Sequence, residues 1–372
     1  AGAAPDTVDV DLEVEDQLPL HGSLEINDRY TANTRRLRLV GSVSYANLFQ
    51  RDHSLSVQTQ VAPQDLDQTF LLSASYLAPF PRHDFNLVVY GVHSKSDVGA
   101  VSGINVLGSG DILGVRGVWN FMGEKTVHTI LAGADYKSFK EDLVLGADTA
   151  STPIDYMPFT IEYSLNHSGD SGDTEFRTSL NGNTRGISAT DREFGNKRVL
   201  ARANYLYGRM DLSRHQKLPG DFRLIGSASG QIANGPRIST EGFSLGGWDS
   251  VRGYLESQEV GDSGINATLQ LETPSMAPLF GSWLQEARLF AFYDWGKVYL
   301  DDALSGVTDF GDYQINLYSA GMGLRLQAFK NLNLEALLAA PLKDRERMQR
   351  DQNLQLDLDD RYRVHFRLWA EF

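Results

Sequence analysis

The 372-residue sequence predicts an all-β fold, a 16-stranded antiparallel transmembrane β-barrel. Three observations carry this expectation. Apolar and polar residues alternate with period two along most of the chain, and windows with helical spacing and caps are scarce. No apolar run approaches the roughly 18 residues of a spanning helix; Leu337 to Leu342 is among the longest. The links between alternating segments are short on one side and mostly long and polar on the other.

Sixteen alternating segments begin near residues 20, 35, 53, 69, 85, 110, 126, 154, 173, 198, 221, 264, 286, 315, 331 and 361. In the second, Leu37, Leu39, Gly41, Val43 and Tyr45 oppose Arg36, Arg38, Val40, Ser42 and Ser44. In the third, Leu55, Val57 and Val61 oppose Ser54, Ser56, Gln58 and Gln60. In the sixth, Leu113, Val115, Gly117, Trp119 and Phe121 share a face with less contrast. In the eighth, Met157, Phe159, Ile161, Tyr163 and Leu165 oppose Glu162, Ser164 and Asn166. In the fourteenth, Leu324, Leu326 and Ala328 oppose Gly323, Arg325 and Gln327. The last is the clearest: Tyr362, Val364, Phe366, Leu368, Ala370 and Phe372 face away from Arg361, Arg363, His365, Arg367, Trp369 and Glu371. Short links follow strands 2, 6, 8 and 14; long ones follow strands 5, 7, 9, 11, 13 and 15. The links after strands 1 and 3 are short exceptions, and the link after strand 12, Pro274 to Glu286, is longer than the pattern predicts. A soluble β-sandwich also alternates, and a propeller adds a blade repeat of about 40–50 residues, which is absent here. A charged inner face fits a barrel whose apolar face meets lipid and whose polar face meets water.

Composition narrows the function classes. There are 34 Lys+Arg against 48 Asp+Glu, so the net charge of −14 argues against nucleic-acid binding. With no Cys, there is no thiolate nucleophile and no Cys-ligated metal. With 18 Phe, 15 Tyr and 5 Trp, disorder is excluded, and the aromatics fit lipid-facing and interfacial positions. The mean hydropathy of −0.30 averages a lipid face, a polar lumen and charged loops. Gly242-Phe243-Ser244-Leu245-Gly246 matches a hydrolase elbow but precedes no helical pattern. His21, His53, His83, His93, His128, His167, His215 and His365 are scattered and read as solvated; Asp357, Asp359 and Asp360 read as a solvated acidic loop. No metal site, cofactor or catalytic residue is expected, and the protein is expected not to be an enzyme.

The longest loop contains Phe243-Ser244-Leu245-Gly246-Gly247-Trp248-Asp249-Ser250-Val251-Arg252-Gly253-Tyr254, and strand 13 contains Phe292-Tyr293-Asp294-Trp295-Gly296. Phe292, Asp294 and Gly296 share one parity; Tyr293 and Trp295 take the other, the lipid side. A carboxylate on the lumen wall can accept a bidentate pair from an arginine on a loop folded inward. The loop resembles the Val-Arg-Gly-Tyr loop of the transporter half of two-partner secretion systems (TpsB; ShlB/FhaC/HecB-like), within the superfamily of the barrel-assembly insertase. The strand-13 segment resembles that superfamily's F-x-D-x-G motif. The resemblance spans about residues 7–372.

The resemblance implies an inward-folded loop between strands 11 and 12, in which Val251, Arg252, Gly253 and Tyr254 form a motif anchored by Arg252 to Asp294, with Gly246 and Gly247 as loop glycines. It also implies an assembly signal in the terminal strand, at Tyr362, Phe366, Leu368 and Phe372. It implies residence in the Gram-negative outer membrane and export of a haemolysin- or haemagglutinin-like exoprotein. The partners expected are that TpsA-like substrate, outer-membrane lipids and the assembly machinery, with a monomeric barrel and no nucleic acid. Residues 1–18 look like the last strand of a periplasmic POTRA domain and its linker, and 19–372 form the barrel; a barrel-only fragment, or a protein lacking its periplasmic half, is the expectation. Arg36, Arg38, Arg116, Arg325, Arg363 and Arg367 are expected to line a polar conduit. Other classes are an insertase, a membrane anchor for an upstream surface hydrolase, and a passive porin.

Overall fold

The structure, a computed structural model, describes residues 18–372 except 33, 67, 96–99, 102, 103, 106, 107, 141, 146, 147, 188, 306–308 and 343–361. Its barrel strands are β1 (Leu20–Asn27), β2 (Arg38–Leu48), β3 (His53–Val61), β4 (Phe70–Phe80), β5 (Phe85–Ser94), β6 (Gly110–Met122), β7 (Thr126–Phe139) and β8 (Phe159–Gly169). They continue with β9 (Gly172–Asn183), β10 (Tyr205–Lys217), β11 (Arg223–Ala233), β12 (Ser263–Glu272), β13 (Leu284–Ser305), β14 (Asp309–Ala328), β15 (Leu332–Pro341) and β16 (Arg363–Glu371). Each pairs antiparallel with the next, and β16 returns to β1, with Ser23 opposite Glu371 and Asn27 opposite Arg367. Closure leaves no unpaired edge strand, which the hydrocarbon of a bilayer demands. Among the described residues no helix is long and apolar enough to cross a membrane.

The strand count and the strand order match the expectation, with three local differences. Ile154–Tyr156 pairs with Lys137–Phe139 in the same register that β8 uses lower on β7, so it is the outer end of that strand. The break falls at Met157–Pro158, where proline has no N–H to donate. β10 begins at Tyr205 rather than near 198, because Asp191–Lys197 is a helix. That helix carries a capping box, with Thr190 and Glu193 each satisfying the other's backbone N–H. β14 begins six residues earlier than its alternation shows, and pairs with β13 up to Ser305 opposite Asp309. Residues 1–17 and 343–361, including the POTRA-like segment and the acidic loop, lie outside the described residues.

The pleat sorts the side chains as expected. Val43, Leu113, Ile161, Leu269, Tyr293 and Val364 stand exposed on the outer face. An apolar outer face of this kind is what a lipid contact requires. At the short-turn end aromatic rings adjoin one another: Phe85 lies 5.0 Å from Trp119, and Trp283 5.8 Å from Phe329. They occupy the interfacial level, where amphipathic rings are favoured.

The inner face is less uniformly charged than expected. Phe290, Phe292, Val298, Leu317 and Leu337 all point inward and are buried. They are apolar because chain segments inside the barrel cover them, so part of the wall never meets water. At the long-link end Phe194, from the helix, packs with Phe139, Tyr156 and Tyr205 in a second apolar cluster.

Candidate functional site

Residues 234–262 join β11 to β12. Within this link Phe243–Leu245 pairs with Glu259–Gly261 as a short hairpin, so its tip is presented on a defined stem. Gly246 and Gly247 turn the chain at φ of 105° and 100°, values that only glycine adopts freely. Gly247 then donates to Val251 O (3.3 Å), and Gly246 to Ser250 Oγ (2.9 Å). The resulting tight turn aims Val251, Arg252 and Tyr254 at the wall. Val251 and Tyr254 are buried with Leu245, Val298, Ile315 and Leu317. At Gly253 the backbone lies so close to β14 and β15 that a Cβ would sit 2.9 Å from both Pro341 N and Ser319 Cβ.

Arg252 reaches Asp294 on β13 three times. Its backbone N–H and Nε each donate to Oδ2 at 3.0 Å, and Nη2 donates to Oδ1 at 2.7 Å. Nη1 donates to Gln270 on β12 (2.7 Å), and the guanidinium lies 3.4 Å from the centroid of the Phe292 ring. Asp294 is 0% exposed; hydroxyls of Thr268 and Ser319 complete its shell at 3.0 Å each. Two charges out of water are tolerable only with this degree of pairing. Phe292 supplies a π face to the cation. Gly296, on the same face, leaves room for Leu245: a Cβ there would meet Leu245 Cδ1 at 2.3 Å. Loop motif and strand-13 motif are therefore one contact.

A polar ladder continues from Gln270. Its Nε2 donates to Glu272 (3.0 Å), which accepts from Arg325 (2.8 Å), which pairs with Glu335. The arginines expected to line an open conduit are committed in this way. Arg116 pairs with Asp135 (2.7 Å), and Arg367 with Glu25 (2.7 Å). Arg363 donates to the Tyr30 hydroxyl (3.3 Å), and Arg38 is buried against Thr34 and the Arg35 carbonyl. Only Arg36 of the six is largely exposed, and it donates to Val364 O at 3.1 Å.

Three further groups hold the loop, and local sequence pattern does not mark them. Glu241, buried in the link, accepts from Lys137 (2.7 Å), Tyr156 (2.6 Å) and Tyr207 (2.7 Å). Burial alone would raise its pKa; Lys137 and the two tyrosine hydroxyls outweigh that and hold it below the ordinary glutamate range. Asp262, at the foot of the stem, accepts from both Nη atoms of Arg198 and from the backbone N–H of Arg237 (2.6 Å) and Asp301 (2.8 Å). Arg29, in the β1–β2 link, pairs with Asp249 and with Glu256 (3.0 Å). Burial would lower its pKa, and the two carboxylates raise it instead. His365 departs from the solvated reading: it is 5% exposed, and its Nε2 lies 2.9 Å from Arg252 O.

The terminal-strand residues stand apart from this site. Tyr362, Leu368 and Phe372 are exposed on the outer face. Phe372 closes the barrel by donating to Gly22 O (3.0 Å) and accepting from Gly22 N–H (2.8 Å). Among the described residues no group of His, Asp and Glu is arranged to hold a metal ion.

The family model of haemolysin secretion/activation protein ShlB/FhaC/HecB matches residues 6–326. This chain belongs to that family. The family's barrels reside in the Gram-negative outer membrane, and its members are secretion proteins rather than known enzymes. Solved structures similar to this family member include CdiB from Escherichia coli, at TM-score 0.72 and 16% identity, covering 96% of this chain and 64% of that one. BamA from Haemophilus ducreyi, lacking POTRA domains 1–3, follows at TM-score 0.64 and 15% identity, covering 95% and 70%. CdiB from Acinetobacter baumannii matches at TM-score 0.62 and 14% identity, covering 95% and 60%. These identities speak to the fold. The chain spans about two thirds of the length of the CdiB and BamA chains it resembles. A search of curated proteins finds no match.

Proposed function

We propose that this barrel exports a cognate haemolysin- or haemagglutinin-like exoprotein across the outer membrane, as the transporter half of a two-partner system. The observation that carries the proposal is the Arg252–Asp294 contact, a buried, multiply bonded pair that holds a 29-residue link against the inner wall of a family member. A passive porin needs no such brace. The link and the helix at 191–197 occupy the lumen beside a polar cavity of about 500 Å³ lined by Arg116, Asp135, Lys137, Glu162 and Asp211. An extended polypeptide meets hydrogen-bonding side chains there, and it passes once the link gives way. The protein acts without catalysis or a cofactor, as a monomer among outer-membrane lipids, after insertion by the barrel-assembly machinery through its terminal strand. Residues 1–18 are the end of a periplasmic POTRA module that delivers substrate.

The similarity to BamA favours barrel assembly as a second reading, on fold alone. Export of the exoprotein by the full-length transporter decides between them. Arg252→Ala should lower the exoprotein in the medium at least tenfold while folded barrel stays at wild-type level. Undiminished export would refute the role of the loop. Loss of other outer-membrane barrels in its place would identify an insertase.

A further inference from the structure

His365 lies where three distant segments meet. On β16 it is buried against the link, and its Nε2 is 2.9 Å from the Arg252 carbonyl. A carbonyl only accepts, so Nε2 carries the proton and donates. Nδ1 faces Asp28 Oδ2 at 3.3 Å, and the Trp248 ring meets the imidazole edge-on at 6.0 Å. Asp28 is 1% exposed, just beyond β1, and its Oδ1 accepts from the Phe366 N–H (2.9 Å). The Asp28 N–H in turn donates to Phe366 O at 3.3 Å. One residue further, Arg29 pairs with Asp249 and Glu256 of the link, and Glu256 N–H donates to Tyr30 O (3.2 Å).

Arg252 is therefore gripped from two walls. Its side chain belongs to β12 and β13; its carbonyl belongs to β16. The side-chain grip fixes where the link sits, and the carbonyl grip joins it to the strand pair that closes the barrel. If Arg252 withdraws, the buried Nε2 of His365 loses its acceptor, which costs about 1–3 kcal/mol unless the ring and its Asp28 neighbour rearrange. Undocking of the link then cannot be separate from loosening around residues 28 and 366.

We propose that His365 is a positioning residue that couples the docked state of the 234–262 link to the β1–β16 closure, so that movement of one releases the other. The role in transport rests on the export function proposed above; the coupling itself does not. Amide hydrogen exchange on the purified protein in lipid nanodiscs reads the coupling, using the peptide spanning 363–368, whose Phe366 amide is held by Asp28. His365→Leu should speed exchange there at least tenfold, and Arg252→Ala should do the same from the other side of the lumen. The double variant should be no faster than the faster single variant, because both remove one shared contact. His365→Gln, whose amide can donate toward the same carbonyl, should restore most of the protection and most of the export lost in His365→Leu. Exchange at 363–368 that ignores Arg252→Ala while the 246–258 peptide opens would overturn the coupling. So would additive effects of the two substitutions. Full export by His365→Leu, with the coupling lost, would overturn the positioning role. Full export by Arg252→Ala would instead refute the link's role in export and leave the exchange result standing.

Discussion

Replacing Arg252 by Lys separates charge from geometry. The arginine side chain makes three hydrogen bonds, two to Asp294 and one to Gln270, and covers the Phe292 ring. An ammonium is a point charge on a flexible stem and satisfies Asp294 once. With charged hydrogen bonds at about 1.5–3 kcal/mol each and partial compensation by the remaining contact, the net loss is roughly 2 kcal/mol. That amounts to about 30-fold in the equilibrium between docked and undocked link. Arg252→Ala leaves Asp294 its two hydroxyl donors and the backbone N–H, and breaking a buried pair in this way costs about 3–5 kcal/mol, more than 100-fold. Amide exchange of residues 246–258 in detergent or nanodiscs reads this equilibrium, since Ser257 N–H and Gly247 N–H are bonded within the docked tip. The expected order of exchange rates is wild type, then Arg252→Lys, then Arg252→Ala. Exchange in Arg252→Lys at the wild-type rate would refute the argument from the forked geometry and leave charge alone as the anchor.

Gly253→Val should undock the link as fully as Arg252→Ala, because Pro341 and Ser319 leave no room for a Cβ; native exchange at 246–258 would contradict this. Glu241 has a lowered pKa, so its stabilisation is complete above the ordinary glutamate value and is lost only as pH falls through its own, lower one. The near-UV circular dichroism of the tyrosines around it should hold steady from pH 7 to about pH 5, above the unperturbed glutamate value. Loss of that signal already at pH 5 would sink the idea. Lys137→Met removes the cation from a carboxylate that is 1% exposed and should lower the thermal midpoint of the same signal, whereas an unchanged midpoint would show the pair to be dispensable. Deleting Phe372 removes the Gly22 bonds at the closure and should cut the amount of heat-modifiable folded barrel several-fold; wild-type amounts would count against a terminal signal.

The barrel was legible because its pattern is local. A strand alternates within ten residues, and every one of the sixteen left that trace, as in Val364, Leu368 and Phe372 against Arg363 and Arg367. Parity also placed Phe292, Asp294 and Gly296 on one face without any partner being known. Their pairing with Arg252 came from a family resemblance, since no periodicity links residues 42 positions apart. What stayed hidden was set by tertiary contact. Glu241 meets Lys137, and His365 meets Arg252, across separations that leave no mark in a sequence window. Phe290 and Leu317 point inward against the simple rule because the link covers them. The helix at 191–197 did carry a local signal, Thr190 three residues before Glu193, which the surrounding alternation masked.

Export of this kind requires that polypeptide pass through the lumen. Asp211 and Leu212 are neighbours on β10; the first lines the polar cavity and the second stands exposed on the outer face. A photo-crosslinking residue at either position in the full-length transporter, irradiated during export, asks which face the exoprotein touches. Passage through the lumen predicts capture from position 211 and none from 212. Capture from 212 alone, or from neither while export proceeds, would contradict it.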